Sequence, residues 1–119
     1  MKARFAGAMV AALALPLAAS ADGLTVNDMI RKSYSDTFTL GMMTGMYIGG
    51  NWSNAFLMKS RNETPFFCPP GPQGIDMTPE QVRSIVEAFI RKNPEKGQMP
   101  STFIGGVLFN AMISAFPCK

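Results

Sequence analysis

The chain has 119 residues, is 47% hydrophobic, and carries a formal net charge of +3, with two cysteines and no histidine. The missing histidine removes the commonest general base and the commonest metal ligand, which argues against an enzyme and against metal or cofactor sites. The Lys and Arg residues are scattered and do not alternate with aromatics, so the sequence also argues against a nucleic-acid interface.

Residues 1–21 have the pattern of a bacterial secretory signal peptide. Lys2 and Arg4 precede the apolar segment Phe5–Ala19, and Ala19-Ser20-Ala21 fits the small-x-small cleavage rule. We expect cleavage after Ala21, a periplasmic location, and one helical domain over residues 22–119. An uncleaved N-terminal anchor is the alternative.

The two cysteines predict a single disulfide. In an oxidising compartment, Cys68 and Cys118 would pair within the chain and close a loop of about 50 residues, which stabilises a fold by about 4 kcal/mol. Two free thiols or a bridge between two chains are the alternatives.

Two helix starts lie near the beginning of the predicted mature chain. Thr25 and Asp28 are spaced as a capping box, which predicts a first helix from about Val26 to Tyr34. Asp36 or Thr37 can cap a second helix that runs to about Met58.

That second helix is uncharged, since none of the 22 residues from Thr37 to Met58 carries a charge. It contains few Leu, Ile or Val and is interrupted by Asn and Ser, so we expect no membrane span in the mature chain. Gly41, Gly45 and Gly49 recur at every fourth position. We interpret them as helix-packing glycines that make this helix the buried centre of a bundle, with neighbours pressed against its backbone. A membrane dimerisation face is the alternative.

A proline-rich loop and a strongly amphipathic helix follow. The loop from Ser60 to Met77 should be pinned to the core by Phe66, Phe67 and Cys68. Thr78 and Gln81 form a second capping box, and the apolar spacing predicts a helix that ends before Asn93-Pro94. Its opposite side is predicted to be a solvated, ion-paired face formed by Arg83, Glu87 and Arg91.

The last predicted elements are a flexible polar linker and a final helix. The linker is Pro94–Pro100, and the helix runs from about Thr102 to Phe116 with Ser101 as its cap. The predicted fold is therefore all-α, a small bundle of about four helices with one disulfide.

The order of several motifs resembles the Rap/Tai family of type VI secretion amidase immunity proteins. LTVNDMIRKS from Leu24 looks like its opening helix, and LGMMTGMYIGG from Leu40 looks like its C-x-GYI-x-G helix. FCPP from Phe67 and AFPC from Ala115 are the most family-like features. The resemblance implies a small helical periplasmic protein, similar in architecture to the acid chaperone HdeA and often homodimeric. It also implies that the chain binds a peptidoglycan amidase effector and blocks its cleft stoichiometrically.

The sequence departs from that family at two places where members often carry an extra cysteine pair. Here those places are Ser33-Tyr34-Ser35 and Thr39-Leu40. Met42-Met43 also replaces the Gly-Tyr-Ile that is common in the family. Two alternatives therefore stay open beside the immunity protein: an HdeA-like periplasmic chaperone, and an orphan envelope domain of the same fold.

Partner binding is predicted at a loop, because loops on a rigid scaffold often carry function. The favoured segment is the turn after the third helix, and the proline-rich loop is the second choice because the disulfide and prolines tie it to the core. Either segment would otherwise be an ordinary solvated connection. The candidate partner-binding residues are Arg91, Lys92, Asn93, Glu95, Lys96 and Gln98.

Overall fold

A computed structural model describes residues 23–69 and 77–119 of the chain. The predicted signal peptide and the centre of the proline-rich loop, residues 70–76, lie outside the described residues. The prediction of an all-α fold with one disulfide is confirmed, and the described part of the chain contains five helices, of which four have seven or more residues. In chain order they are α1 (Val26–Lys32), α2 (Thr37–Phe56), α3 (Pro79–Lys92), α4 (Pro94–Gly97) and α5 (Ile104–Ala115).

The first three helix starts are fixed by local hydrogen bonds, as predicted. Thr25 and Asp28 form the capping box of α1, and Thr78 and Gln81 form that of α3. Asp36 caps α2, because its carboxylate accepts hydrogen bonds from the backbone N–H groups of Phe38 at 3.0 Å and Thr39 at 3.4 Å. These side chains satisfy backbone donors that have no partner within the helix.

Hydrogen bonding at these helix starts also lowers the pKa values of two carboxyl groups. The pKa of Asp28 lies below its ordinary value of 3.8, chiefly because the carboxylate accepts a hydrogen bond from the backbone N–H of Thr25. The pKa of Asp36 is also lowered, chiefly by the hydrogen bond from the Thr39 hydroxyl at 2.8 Å.

The helix ends and the last helix start differ in detail from the prediction. The chain continues from α2 through a π-helical turn, Leu57–Arg61, before Asn62 adopts a left-handed conformation with φ of 54°. A short 3₁₀ segment, Ser101–Phe103, precedes α5. The prediction that Ser101 caps this helix is wrong, because neither the 3₁₀ segment nor α5 has a side-chain cap.

The core draws apolar side chains from α1, α2, α3 and α5 and one aromatic from the loop after α2. Tyr47 of α2 is 1% exposed and its ring lies 6.5 Å from that of Phe67, which is equally buried. Each such large side chain stabilises the fold by about 1.5–3 kcal/mol through its burial. The other large apolar side chains that are fully buried in the core are Val26, Met43, Val82, Val86, Leu108 and Met112.

The loop after α2 is fastened to the bundle at two points. The buried Asn54 side chain donates to the Phe67 carbonyl at 2.7 Å and accepts from the Phe66 N–H at 2.9 Å. The predicted disulfide between Cys68 and Cys118 is present, and the Cys68 N–H donates to the Phe116 carbonyl at 2.8 Å. This part of the loop is therefore pinned to α2 and to the end of α5.

The predicted role of the α2 glycines within the bundle is wrong. Gly41, Gly45 and Gly49 are exposed, and a Cβ placed on any of them would meet no atom within 4 Å. α2 turns its opposite side to the core, where Met43 and Tyr47 are buried. The large side chains occupy the core because they supply apolar volume, which a glycine stripe cannot.

Close packing at a glycine does occur one position further along. Gly50 is buried, and a Cβ there would lie 3.3 Å from the rings of Phe67 and Phe109. Gly105 of α5 similarly lies beside Met46 of α2. These contacts show α5 packed against the middle of α2. Within residues 23–69 and 77–119, no helix combines the length and apolar character that crossing a membrane requires.

Candidate functional site

The predicted binding turn joins α3 to α4 and has a defined backbone. The Asn93 side chain donates to the Phe89 carbonyl at 2.9 Å, and its N–H donates to the same carbonyl at 3.0 Å. Pro94 then begins α4, and the Lys96 N–H donates to the Asn93 carbonyl at 2.9 Å. Short-range hydrogen bonds thus hold the turn in one conformation.

The start of α1 braces this turn from the other side. Gly97 is buried, and a Cβ there would collide with the amide of Asn27. The Val26 N–H donates to the Met99 carbonyl at 2.9 Å, and Thr25 and Pro100 form an isolated antiparallel bridge. The sequence predicted a flexible linker here, and that prediction is wrong because long-range contacts to α1 fix the segment.

The turn presents most of its polar side chains to solvent. Of the six predicted binding residues, Asn93 and Lys96 are half-buried, whereas the other four are exposed: Arg91, Lys92, Glu95 and Gln98. We call these six residues the turn surface. Its backbone is held by hydrogen bonds, and its four exposed side chains are accessible to a partner.

A shallow cleft of ≈ 190 Å³ lies beside the turn surface, between α1 and α3. Apolar side chains form its floor and polar side chains its rim, so it can accept an apolar side chain flanked by a charged group. Its lining residues are Asn27, Ile30, Glu87, Ile90 and Arg91. The turn and the cleft share Arg91 and therefore form one continuous surface.

Three side chains connect α3 with the turn that follows α1, next to this cleft. The Tyr34 hydroxyl donates to the Glu87 carboxylate, and the Arg83 guanidinium stacks over the Tyr34 ring at 3.8 Å. The hydrogen bond to Glu87 raises the pKa of Tyr34 above its ordinary value of 10.0. The predicted ion pairing among the polar residues of α3 is wrong, because Arg83 and Glu87 use Tyr34 as their common partner.

α2 carries an apolar surface that sequence reasoning missed. Exposed aromatics on α2 flank the exposed glycines, and their exposed fractions are 79% for Phe38, 68% for Trp52 and 59% for Phe56. We call the following residues the outer face of α2: Phe38, Gly41, Gly45, Gly49, Trp52 and Phe56. The sequence does contain a pattern that indicates this surface. Phe38, Trp52 and Phe56 form a second apolar stripe on α2, on a different side of the helix from Met43 and Tyr47.

The described residues contain no cluster of three or more His, Cys, Asp or Glu side chains that could hold a metal ion. A second open cleft, of ≈ 380 Å³, lies between α3 and the end of α5. Its lining includes the apolar Met77, Ile85 and Phe116 and a single carboxylate, that of Glu80. Both clefts are open to solvent and offer surfaces for binding.

Comparisons of the chain with protein-family models, with curated protein sequences and with solved structures find no match.

Proposed function

We propose that this chain is an exported, non-catalytic binding protein that inhibits a peptidoglycan amidase of the type VI secretion class. The observation that carries the proposal is the turn surface, whose backbone is fixed on both sides while four polar side chains stay exposed. Because the backbone of the turn is already ordered in the free chain, binding a partner costs less conformational entropy than binding through a flexible loop would. This favours a stable inhibitory complex.

The partner class comes from the sequence. The signal-like N-terminus and the disulfide are compatible with the periplasm, where an amidase would reach peptidoglycan. The FCPP and AFPC motifs that carry the resemblance to amidase immunity proteins are the two segments joined by the disulfide. The turn would enter the amidase cleft, and the chain would act stoichiometrically at one site per amidase.

The direct experiment measures hydrolysis of purified peptidoglycan by candidate amidases encoded next to this protein. We expect one equivalent of the protein to abolish the activity of its cognate amidase. Charge reversal with Lys92→Glu and Lys96→Glu should weaken inhibition by about tenfold at low salt and by less at high salt, because charges at the rim of an interface mainly set the association rate.

A matched variant separates a local effect from a change in net charge. Lys59→Glu with Lys119→Glu alters the net charge equally at two exposed positions outside the turn. This control should inhibit like the unmodified protein, and both double variants should keep its helical CD spectrum and melting temperature. Equal loss in the two variants, or no inhibition of any neighbouring amidase, would contradict the proposal.

A second candidate function, a periplasmic chaperone of the HdeA type, is favoured by the outer face of α2. Its three aromatics are already exposed in the folded chain and could bind the apolar surface of an unfolding protein. The chaperone would suppress aggregation of client proteins at low pH and would show no saturable amidase binding. Running both assays on one preparation distinguishes the two functions.

A further inference from the structure

The outer face of α2 is an apolar, uncharged surface that runs along the whole helix. No residue from Thr37 to Met58 is charged, and Phe38, Trp52 and Phe56 are all more than half exposed. At 3.6 residues per turn and 1.5 Å per residue, the three aromatics lie within about 40° of one another around the axis and span about 27 Å along it. They form one stripe, and the side chains that α2 buries lie on another side of the helix.

We propose that the outer face of α2 binds the surface of a phospholipid bilayer that contains anionic lipid. α2 lies parallel to the membrane plane in this arrangement, because Met43 and Tyr47 on its buried side are held in the bundle and keep the helix from crossing. The three aromatics enter the boundary between headgroups and acyl chains. This inference uses none of the turn surface and is independent of the proposed inhibition of an amidase.

The aromatic composition of the face fits the membrane–water boundary. Trp is enriched at that boundary because its ring enters the acyl chains while its N–H reaches the headgroups. Trp52 is 68% exposed, and its indole N–H has no hydrogen-bond partner within the described residues. The N–H is therefore available to the ester and phosphate oxygens of a lipid.

The hydroxyl groups on the accessible part of α2 are already hydrogen-bonded within the helix. The exposed Ser53 hydroxyl donates to the Gly49 carbonyl at 2.9 Å. The half-buried Thr44 hydroxyl donates to the Leu40 carbonyl at 3.0 Å. Because these donors keep their partners when water is removed, α2 can contact lipid without leaving a hydroxyl unpaired.

The shape of the face favours a fluid occupant over a rigid one. Phe38 and Trp52 stand about 21 Å apart along the axis, and the three glycines of the face lie between them. A folded protein needs a ridge that matches this gap to exclude water, whereas lipid chains adapt their shape to fill it. The glycines also let the helix backbone approach the lipid closely, so the aromatics on both sides insert together.

The charges at the ends of α2 complement anionic headgroups. Lys59 follows the last aromatic by three residues, is exposed, and takes part in no ion pair among the described residues. The carboxylate of Asp36, before α2, lies 3.6 Å from the Lys32 ammonium. The carboxylate of Glu63, after α2, lies 2.8 Å from the Arg61 guanidinium. An unpaired ammonium and two paired carboxylates therefore border the face, so attraction to lipid phosphates outweighs repulsion.

The exposed area sets the expected strength of binding. With about 200 Å² for a whole aromatic side chain, the exposed fractions of Phe38, Trp52 and Phe56 amount to about 400 Å² of apolar surface. A myristoyl chain buries a similar area and binds membranes reversibly, with a constant of about 10⁴ M⁻¹. We therefore expect reversible binding with half-saturation at about 0.1–1 mM lipid.

Trp52 reports binding without a label, because it is the only tryptophan in the chain. Protein purified after expression of the full chain is titrated with vesicles of phosphatidylcholine, alone or mixed with phosphatidylglycerol. We expect the Trp52 emission to move to shorter wavelength and the protein to sediment with the vesicles, at a lower lipid concentration when phosphatidylglycerol is present. No binding at about 5 mM mixed lipid, or no preference for the mixture, would overturn the proposal.

Phe56→Gln tests the apolar contact, with Phe103→Gln as its matched control. Both rings are exposed, at 59% and 51%, but Phe103 lies outside α2 in the 3₁₀ segment. Phe56→Gln should raise the lipid concentration for half-saturation by about tenfold, because an inserted ring is lost. Phe103→Gln should bind like the unmodified protein, and equal effects of the two changes would refute the assignment of the face.

Gly45→Glu tests the centre of the face. The side chain has open space in the folded chain, and glutamate favours a helix more than glycine does, so the variant should fold. Its carboxylate must enter lipid, which should weaken vesicle binding by about 30-fold or more. Gly106→Glu is the matched control, because Gly106 is an exposed helical glycine of α5 that likewise has no neighbour within 4 Å. Unchanged binding of Gly45→Glu, or equal loss in the control, would contradict the proposal.

Three other results would assign the face to another occupant, and each would overturn the proposal. If the Trp52 emission changes with protein concentration and vesicles have no effect, a second copy covers the face. If an unfolding client protein shifts the emission and vesicles do not, the face serves the chaperone function. If only protein whose intact mass includes residues 1–21 binds vesicles, the N-terminal segment and not α2 holds the lipid.

Discussion

Alanine at Gly45 tests whether the α2 glycines face solvent in the folded monomer. Glycine in a helix interior is less favourable than alanine by about 0.8–1.0 kcal/mol, because its backbone loses more freedom on folding. The new methyl group would meet no atom within 4 Å, so no clash offsets this gain. We therefore expect Gly45→Ala to raise the free energy of unfolding by about 1 kcal/mol, and the melting temperature by about 4–8 °C.

Alanine at all three glycines should raise the free energy of unfolding by an amount well above experimental error. Gly41→Ala, Gly45→Ala and Gly49→Ala together should stabilise the monomer by about 2–3 kcal/mol. Unfolding in urea, followed by CD at a concentration where light scattering shows a monomer, measures this difference.

Gly50→Ala is the matched control within the same helix. Its Cβ would lie 3.3 Å from the rings of Phe67 and Phe109, so the contact strain should cancel the gain in helix propensity or exceed it by about 1–2 kcal/mol. Destabilisation by Gly45→Ala, or equal effects at Gly45 and Gly50, would show that the outer face of α2 is packed in the monomer and would refute the reasoning.

Three further predictions concern the loop, the disulfide and the helix caps. Asn54→Ala should destabilise the fold by about 2–4 kcal/mol in urea unfolding, because it leaves two backbone groups of the loop without partners, whereas Asn110→Ala, which removes one exposed bond, should cost less than about 1 kcal/mol. Reduction of the disulfide should lower the free energy of unfolding by about 4 kcal/mol, and a drop under about 1 kcal/mol would contradict the loop-closure account. Because the pKa values of Asp28 and Asp36 are lowered in the fold, their stabilisation is present above about pH 3.8 and is lost as the pH falls through the lowered values. Urea midpoints measured from about pH 5 to pH 2 should therefore fall less for Asp28→Asn and Asp36→Asn than for the unmodified chain.

The features that sequence predicted correctly are governed by short-range chemistry. Thr25 and Thr78 begin helices because each finds its hydrogen-bond partner three residues away, and Asp36 caps α2 in the same local way. The disulfide followed from the presence of only two cysteines. The helix starts and the disulfide could therefore be predicted without knowing which helices pack together.

The features that sequence predicted wrongly depend on contacts between distant parts of the chain. The turn surface is fixed because Gly97 packs on Asn27, 70 positions earlier, and no local pattern encodes that contact. The face that α2 buries is also a tertiary choice, since its glycine stripe and its Met43–Tyr47 stripe both have helical spacing. Burial of the larger side chains gains more free energy than close approach at glycine, and that difference decides the orientation of α2.

The exposed glycines remain unexplained by the folded monomer. Each makes α2 less stable than alanine would, and none accommodates a neighbour within the described chain. The missing Cβ atoms leave an open groove along the outer face of α2, between Phe38 and Trp52. The prediction that these glycines let other helices of the bundle press against α2 is therefore wrong, because solvent and not a neighbouring helix lies against them in the described chain.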